Sequence, residues 1–313
     1  MKFVDPKNDI AFRKIFGDEN KKEILISFLN NLLNFAGTTK EIIDLFLNGH
    51  YQDSKLEKLR QTTLTVNVLD KRNIRYIIEI LIIHTEALEK RVMYYVSKAY
   101  SQQLNRAEDY PKLNQVIFLG FLDFVLFKEN ASYTTRHLIL EESTNGHYFK
   151  DFDLNFVELP KFEKSLKELS DVKEKWIYFV KNAGDLTIIP KEMEEPKEIR
   201  EAFEVANQLS WTKEELDAYD KKGIYIQDER GRVEYAREEG IEEGERSKAL
   251  KVAKELLKSG VSIDIILKAA GFFVDIFYRF FRKRLVRFFN VLFCRSVAGQ
   301  TRAWVKICQG PEP

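Results

Sequence analysis

Cysteine is scarce in this chain. Two occur in 313 residues, Cys294 and Cys308, both close to the C-terminus. Two cysteines without a histidine or cysteine cluster exclude a zinc signature and a disulfide framework. Histidine is nearly as rare, at four. No run of 18 or more uncharged apolar residues occurs, which argues against a membrane-spanning helix. The first ten residues, MKFVDPKNDI, lack the apolar stretch of a signal peptide. A cytoplasmic location is the expectation. An excess of one charge is missing too: 50 Lys+Arg stand against 49 Asp+Glu. A formal charge of +1 gives no global attraction to nucleic acid or to a membrane.

What is present is uneven. Residues 272–313 carry eight Lys or Arg against two Asp or Glu, a formal +6, which leaves −5 for residues 1–271. The same tail holds Phe272, Phe273, Phe277, Phe280, Phe281, Phe288, Phe289 and Phe293, eight of the 24 phenylalanines. An amphipathic membrane-surface helix and a basic nucleic-acid contact both fit its composition. The abrupt change after Gly271 and the unpatterned end GQTRAWVKICQGPEP favour a third reading, a frameshifted or read-through ending.

Upstream, the periodicities alternate between helix and strand. Asp5-Pro6 reads as a helix start closed by Gly17. Ile24, Leu25, Phe28, Leu29, Leu32 and Leu33 form the stripe of a second helix. Residues 86–104 read as a long helix. QVIFLGFLDFVLF (115–127) reads as a strand buried on both faces. Shorter strands are expected at 137–141 and 152–159, and a helical pattern at 161–181. An acidic, proline-bounded stretch follows at 190–196, then a long charged helical segment with the repeat EEGIEEG. The domains expected are 1–189, an α/β domain; 190–271, a charged helical region open to weak self-association; and the aberrant tail 272–313.

The stretch LTVNVLDKRNIRYIIEILI (64–82) reads as two strands joined by a polar turn at 70–75. One carboxylate, Glu79, sits among Ile78, Ile80 and Leu81, where burial is costly unless something pairs with it. Antiparallel pairing across the turn keeps the residue numbers of facing positions at a sum of 144. Thr65 then faces Glu79, and Asn67 faces Ile77. Alternation puts Thr65, Asn67, Ile77, Glu79 and Leu81 on one face. Mg²⁺ sites for phosphoryl transfer use one or two carboxylates with substrate phosphate oxygens, and a nuclease that holds its metal on a sheet in this way takes an acid on each of two adjacent strands and a Lys or Gln two residues past the second. Thr65 stands at the first of these positions and Leu81 at the third.

At these words the chain resembles the recombination-promoting nuclease/transposase family of the PD-(D/E)xK nuclease superfamily. The resemblance rests on DPKNDIAFRKIFGDENKKEILISFLNNLL (5–33), the hairpin, EKRVMYYVSKAYSQQL (89–104) and EDYPKLNQVIFLGFLDF (108–124). The helical EEGIEEG region and LLKSGVSIDIILKAAG extend it to about residue 271. It implies a restriction-endonuclease-like mixed sheet flanked by helices, followed by an extended helical C-terminal region. It implies DNA as partner, Mg²⁺ as cofactor and phosphodiester hydrolysis as the ancestral reaction. Glu79 matches the second metal acid, whereas Thr65 replaces the first-strand Asp and Leu81 the Lys or Gln. Catalysis is therefore expected to be impaired or lost, and a non-catalytic DNA-binding or interaction protein on the same scaffold is the alternative.

Other candidates are weaker. Asp9 lies in a well-matched word and is a candidate for the edge of the active site; Asp18 reads as a cap. Tyr94, Lys98 and Gln102 share one helix face at i, i+4, i+8 and are candidates for a DNA phosphate contact. His84 reads as incidental. Asp70 and Asp123 are possible replacement acids, but Asp70 lies about 16 Å along the strand from Thr65.

Overall fold

The computed structural model describes residues 2–47, 63–72, 74–82, 84, 87–104, 109–262 and 265–266, with 63–68 as backbone only. The basic, aromatic tail lies outside the described residues, and so do the readings attached to it.

Among the described residues six strands build one mixed sheet: β1 (Leu45–Leu47), β2 (Thr63–Asp70), β3 (Arg75–Leu81), β4 (Val116–Leu122), β5 (Thr134–Ile139) and β6 (Phe149–Glu158), in the order β1-β2-β3-β4-β6-β5. Pairs β1/β2, β2/β3 and β5/β6 are antiparallel, while β3/β4 and β4/β6 are parallel. Every residue of β4, VIFLGFL, is buried. That is what a central parallel strand covered on both faces requires. The strand is shorter than the apolar run that encodes it. Its remainder, from Asp123, leaves the sheet as a loop tied down by buried Glu158, which accepts from the Leu126 and Phe127 amides and pairs with Lys161 Nζ at 2.5 Å.

Side-chain alternation gives the sheet two unlike faces. Tyr76, Ile78, Ile80, Ile117, Leu119 and Phe121 join one core with helices α1 (Asp9–Phe16), α2 (Lys22–Leu32), α4 (Val172–Asn182) and α5 (Lys197–Ala206). Aromatic rings fill it: Phe16 lies 4.4 Å from Phe28, and Phe28 in turn lies 5.4 Å from both Phe121 and Trp176. The other face carries Ile77, Leu81, Val116, Phe118, Leu122 and Phe156. There they pack against Leu88, Val92, Val96 and Ala99 of α3 (Leu88–Ser101).

The first helix starts later than Asp5-Pro6 suggests. Asn8 is its N-cap, accepting from the Ile10 amide, while Asp5 accepts from the Lys7 amide in the preceding turn. The Asn8 side-chain oxygen satisfies one of the free amides of the first helical turn, the capping role that the sequence suggested for Asp5. Gly17 closes α1, and Asp18 caps a short 3₁₀ turn at Glu19–Lys21. The helical pattern of 161–181 resolves into 3₁₀ turns and then α4, which begins at Val172 behind the N-cap Asp171.

Contacts divide the chain into units 1–231 and 232–313. Within the first, α5 buries Ile199, Ala202, Phe203 and Ala206, so residues past position 190 belong to the same core as the sheet. The beginning of α6 (Lys213–Lys258) is also fastened there. Tyr219 accepts from the Asp5 amide, its carbonyl accepts from Asn8 Nδ2, and Lys222 pairs with Asp9 at 3.2 Å. In the second unit α6 is exposed almost throughout. It ends at Gly260 (φ +82), where the Val261 amide reaches Leu256 O and the Gly260 amide reaches Leu257 O. This double cap needs the left-handed conformation that glycine adopts freely.

Candidate active site

The hairpin turn is held by one side chain. Asp70 is 2% exposed and accepts from the amides of Arg72 and Ile74 and from Arg72 Nε at 2.8 Å. Tyr76 Oη donates to its second oxygen at 3.0 Å. Burial, followed by the Asp70 charge, pushes the Tyr76 phenol well above the usual range. Because Asp70 organises the turn, Ile74 need not adopt a positive φ, and it does not. Asp70 is thereby committed to structure and is no replacement acid.

That turn sets the register. Leu69 pairs with Arg75, Asn67 with Ile77 and Thr65 with Glu79, as the numbering sum of 144 requires. Parallel pairing then puts Gly120 of β4 beside Glu79, and Phe156 of β6 beside Gly120. One row therefore crosses the sheet: Thr65, Glu79, Gly120, Phe156. Glu79 is 0% exposed and lies on the α3 face, between Ile77 and Leu81. A Cβ at Gly120 would come within 2.8 Å of the Phe118 ring and 3.0 Å of the Phe156 ring. The absent side chain lets both rings close over β4 next to Glu79.

Leu81 is 1% exposed and packs in the α3-face core. An aliphatic side chain there holds neither a water nor a proton. Asp123, three residues past Gly120, is about 10 Å along the sheet from the level of Glu79. Its amide donates to Leu81 O, and its carboxylate pairs with Arg230 of α6. It does not complete a metal site with Glu79. Asp9 sits half-buried at the start of α1, a helix that packs on the opposite face from Glu79, and pairs with Lys222. The structure does not bring Asp9 and Glu79 together.

The α3 stripe is real as a helix face. Tyr94 is 53% exposed, Lys98 Nζ stands 5.9 Å from its ring centre, and Gln102 caps the helix end. His84 is exposed with its ring edge-on to Phe124 at 5.0 Å. Two positions escaped sequence reasoning. Gly120 was hidden in a long apolar run, and only its register with Glu79 reveals it. Arg91 of α3 carries no distinguishing signal in the sequence, yet its Nε and Nη2 are shielded from solvent without a hydrogen-bond acceptor among the described residues.

The donor set can be weighed against a divalent cation. Mg²⁺ prefers octahedral oxygen ligands, usually one or two carboxylates with waters and substrate phosphate. Here one carboxylate stands in a row with a threonine, a glycine and a phenylalanine, next to a buried leucine. Among the described residues no group of three His, Cys, Asp or Glu could hold a metal ion. The residues present do not fit Mg²⁺. Nor, among the described residues, is any helix long and apolar enough to cross a membrane.

No curated protein and no solved structure matches the chain. A family model does: that of the PD-(D/E)XK nuclease family transposase, over residues 6–236. The match takes in the whole sheet, the hairpin that carries Glu79 and the fastened start of α6. With the mixed sheet, its flanking helices and the register of the hairpin all in agreement, this chain belongs to the PD-(D/E)XK nuclease family transposases.

Proposed function

We propose that this protein is a DNA-acting member of its family in which phosphodiester hydrolysis is lost or severely impaired, while the fold still serves to bind DNA. One observation carries the reading. Glu79 is buried at the second-acid position, the facing position is Thr65, and the position two residues on is the buried Leu81. Losing one metal acid and the water-orienting residue together removes two interactions made in the transition state, a loss of orders of magnitude in rate.

The scaffold accounts for DNA as the partner. Helix α3 presents Tyr94, Lys98 and Gln102 on one flank, and Lys or Arg beside a sheet can position a phosphate without reading a base. No step through a metal is derived for this chain, because its donor set does not match one.

A plasmid-nicking assay with Mg²⁺ and with Mn²⁺ tests the reading. The wild type is expected to leave the plasmid intact, while Thr65→Asp, alone or with Leu81→Gln, gains metal-dependent nicking that Glu79→Ala abolishes. Robust nicking by the wild type, abolished by Glu79→Ala, would overturn the proposed loss. Salt-dependent binding of duplex DNA without cleavage supports the binding role.

A further inference from the structure

We infer that Arg91 is a phosphate-binding residue placed over the Glu79 side of the sheet; the inference deepens the DNA-binding role proposed above. Its place follows from the fold. Helix α3 connects parallel β3 and β4, so it runs back across the sheet, antiparallel to both strands. It packs over β4. The Tyr100 ring lies 5.0 Å from Phe152, whose strand partner is Val116. The Tyr100 hydroxyl also donates to Asp151 at 2.5 Å, a bond that, with burial, raises its pKa to about 12. Tyr100 thus marks both the level of Val116 and the β6 flank of the helix.

Arg91 precedes Tyr100 by nine residues. At about 1.5 Å per residue it lies about 13.5 Å back along the helix. That distance is about four strand residues. Counted from Val116, four residues lead to Gly120, the strand partner of Glu79. Nine residues also turn the helix through about 900°, which is half a turn from Tyr100. Since Tyr100 leans over β6, Arg91 leans toward β3 and β2, where Glu79 and Thr65 face each other. Lys98, two turns further on, continues the same flank.

The chemistry of Arg91 points to an anion. A guanidinium is always charged and carries five donors in a planar fork suited to phosphate. Two of its nitrogens, Nε and Nη2, are shielded from water and meet no acceptor among the described residues, although the residue itself is partly exposed. A fold gains nothing from shielding donors that it does not satisfy. A phosphate oxygen arriving at the exposed side satisfies them through a small rotation of the side chain.

Two probes test the assignment: inorganic phosphate, by thermal melting against chloride at equal ionic strength, and a labelled DNA duplex, by anisotropy across a salt series. The expectation is that phosphate raises the melting temperature of the wild type and not of Arg91→Met. Arg91→Met itself melts no lower than the wild type in chloride. Its DNA affinity falls about tenfold at fixed salt, and its salt slope falls by about 0.9. Arg91→Lys keeps the slope and recovers only part of the affinity. Equal phosphate responses in wild type and Arg91→Met overturn the assignment. So does an Arg91→Met protein that melts well below the wild type while Arg91→Lys restores it, for then the residue serves the fold. A wild type that ignores DNA but responds to phosphate through Arg91 leaves the site standing and removes the DNA-binding role.

Discussion

The two faces of the sheet are built to different standards. One is sealed by four helices and by interlocked rings from Phe12, Phe16, Phe28, Phe121, Trp176, Phe179 and Phe203. Among the described residues the other is covered by one helix, α3, over a core of ten buried residues. Three of the positions expected to do chemistry, Thr65, Glu79 and Leu81, belong to the thin face, while Asp9 starts a helix of the other. Stability therefore rests mainly on residues that take no part in the chemistry. A site on such a scaffold can lose its side chains while the fold persists, because the interactions that hold the chain together lie on the far side of the strands.

The comparison breaks if the thick face proves tolerant. Phe28→Ala or Trp176→Ala is expected to cost about 3–5 kcal/mol, read as a lower denaturant midpoint at unchanged slope. Leu81→Gln on the thin face should cost less, about 2 kcal/mol, because a polar amide enters a buried apolar position. A larger loss from Leu81→Gln than from Phe28→Ala would reverse the ranking of the faces.

Glu174 sharpens the same comparison by pH. It is 4% exposed at the start of α4, on the thick side. Burial alone would raise its pKa, but Lys164, Ser170 and Tyr133 win and hold it at about 2, below the usual 4.5. A depressed folded pKa adds stability that is complete above the unfolded value and fades as pH falls through the folded one. Glu174→Gln is expected to cost about 2 kcal/mol at neutral pH, with the gap to wild type closing between pH 4.5 and 2. Urea melts across that range check it; a gap that stays constant refutes the assignment. The smallest effect is expected on the exposed flank of α3. Tyr94→Ala removes a solvent-side contact with Lys98 and should change stability by about 0.5 kcal/mol or less.

Much of the fold was legible. Hairpin pairing follows from the turn position, because alternation fixes every partner once one pair is set. The run around Phe118 announced a strand covered on both faces. What was less legible depended on non-local choices. The helical period of 161–181 continues through residues that form 3₁₀ turns, one of them closed by a Ser165–Glu168 capping box, and α4 starts only behind its own cap, Asp171. The acidic stretch at 190–196 looks like a linker, yet Met193 is fully buried in the main core, where the apolar side chain outweighs its charged neighbours.

The site divides along the same line. Sequence alone determined that Glu79 shares a face with Leu81, because strand alternation leaves no freedom in that relation, and it offered Thr65 as the facing residue for one placement of the turn, which the register bears out. Only the tertiary structure decided which face of the sheet that is, which strand supplies the next neighbour and which helix lies above it. Gly120 reached Glu79 through parallel pairing with a strand about 40 residues away, and Arg91 is brought over it by the crossover helix between them. Parallel pairing and helix crossover are long-range events, and no local pattern of residues encodes their outcome.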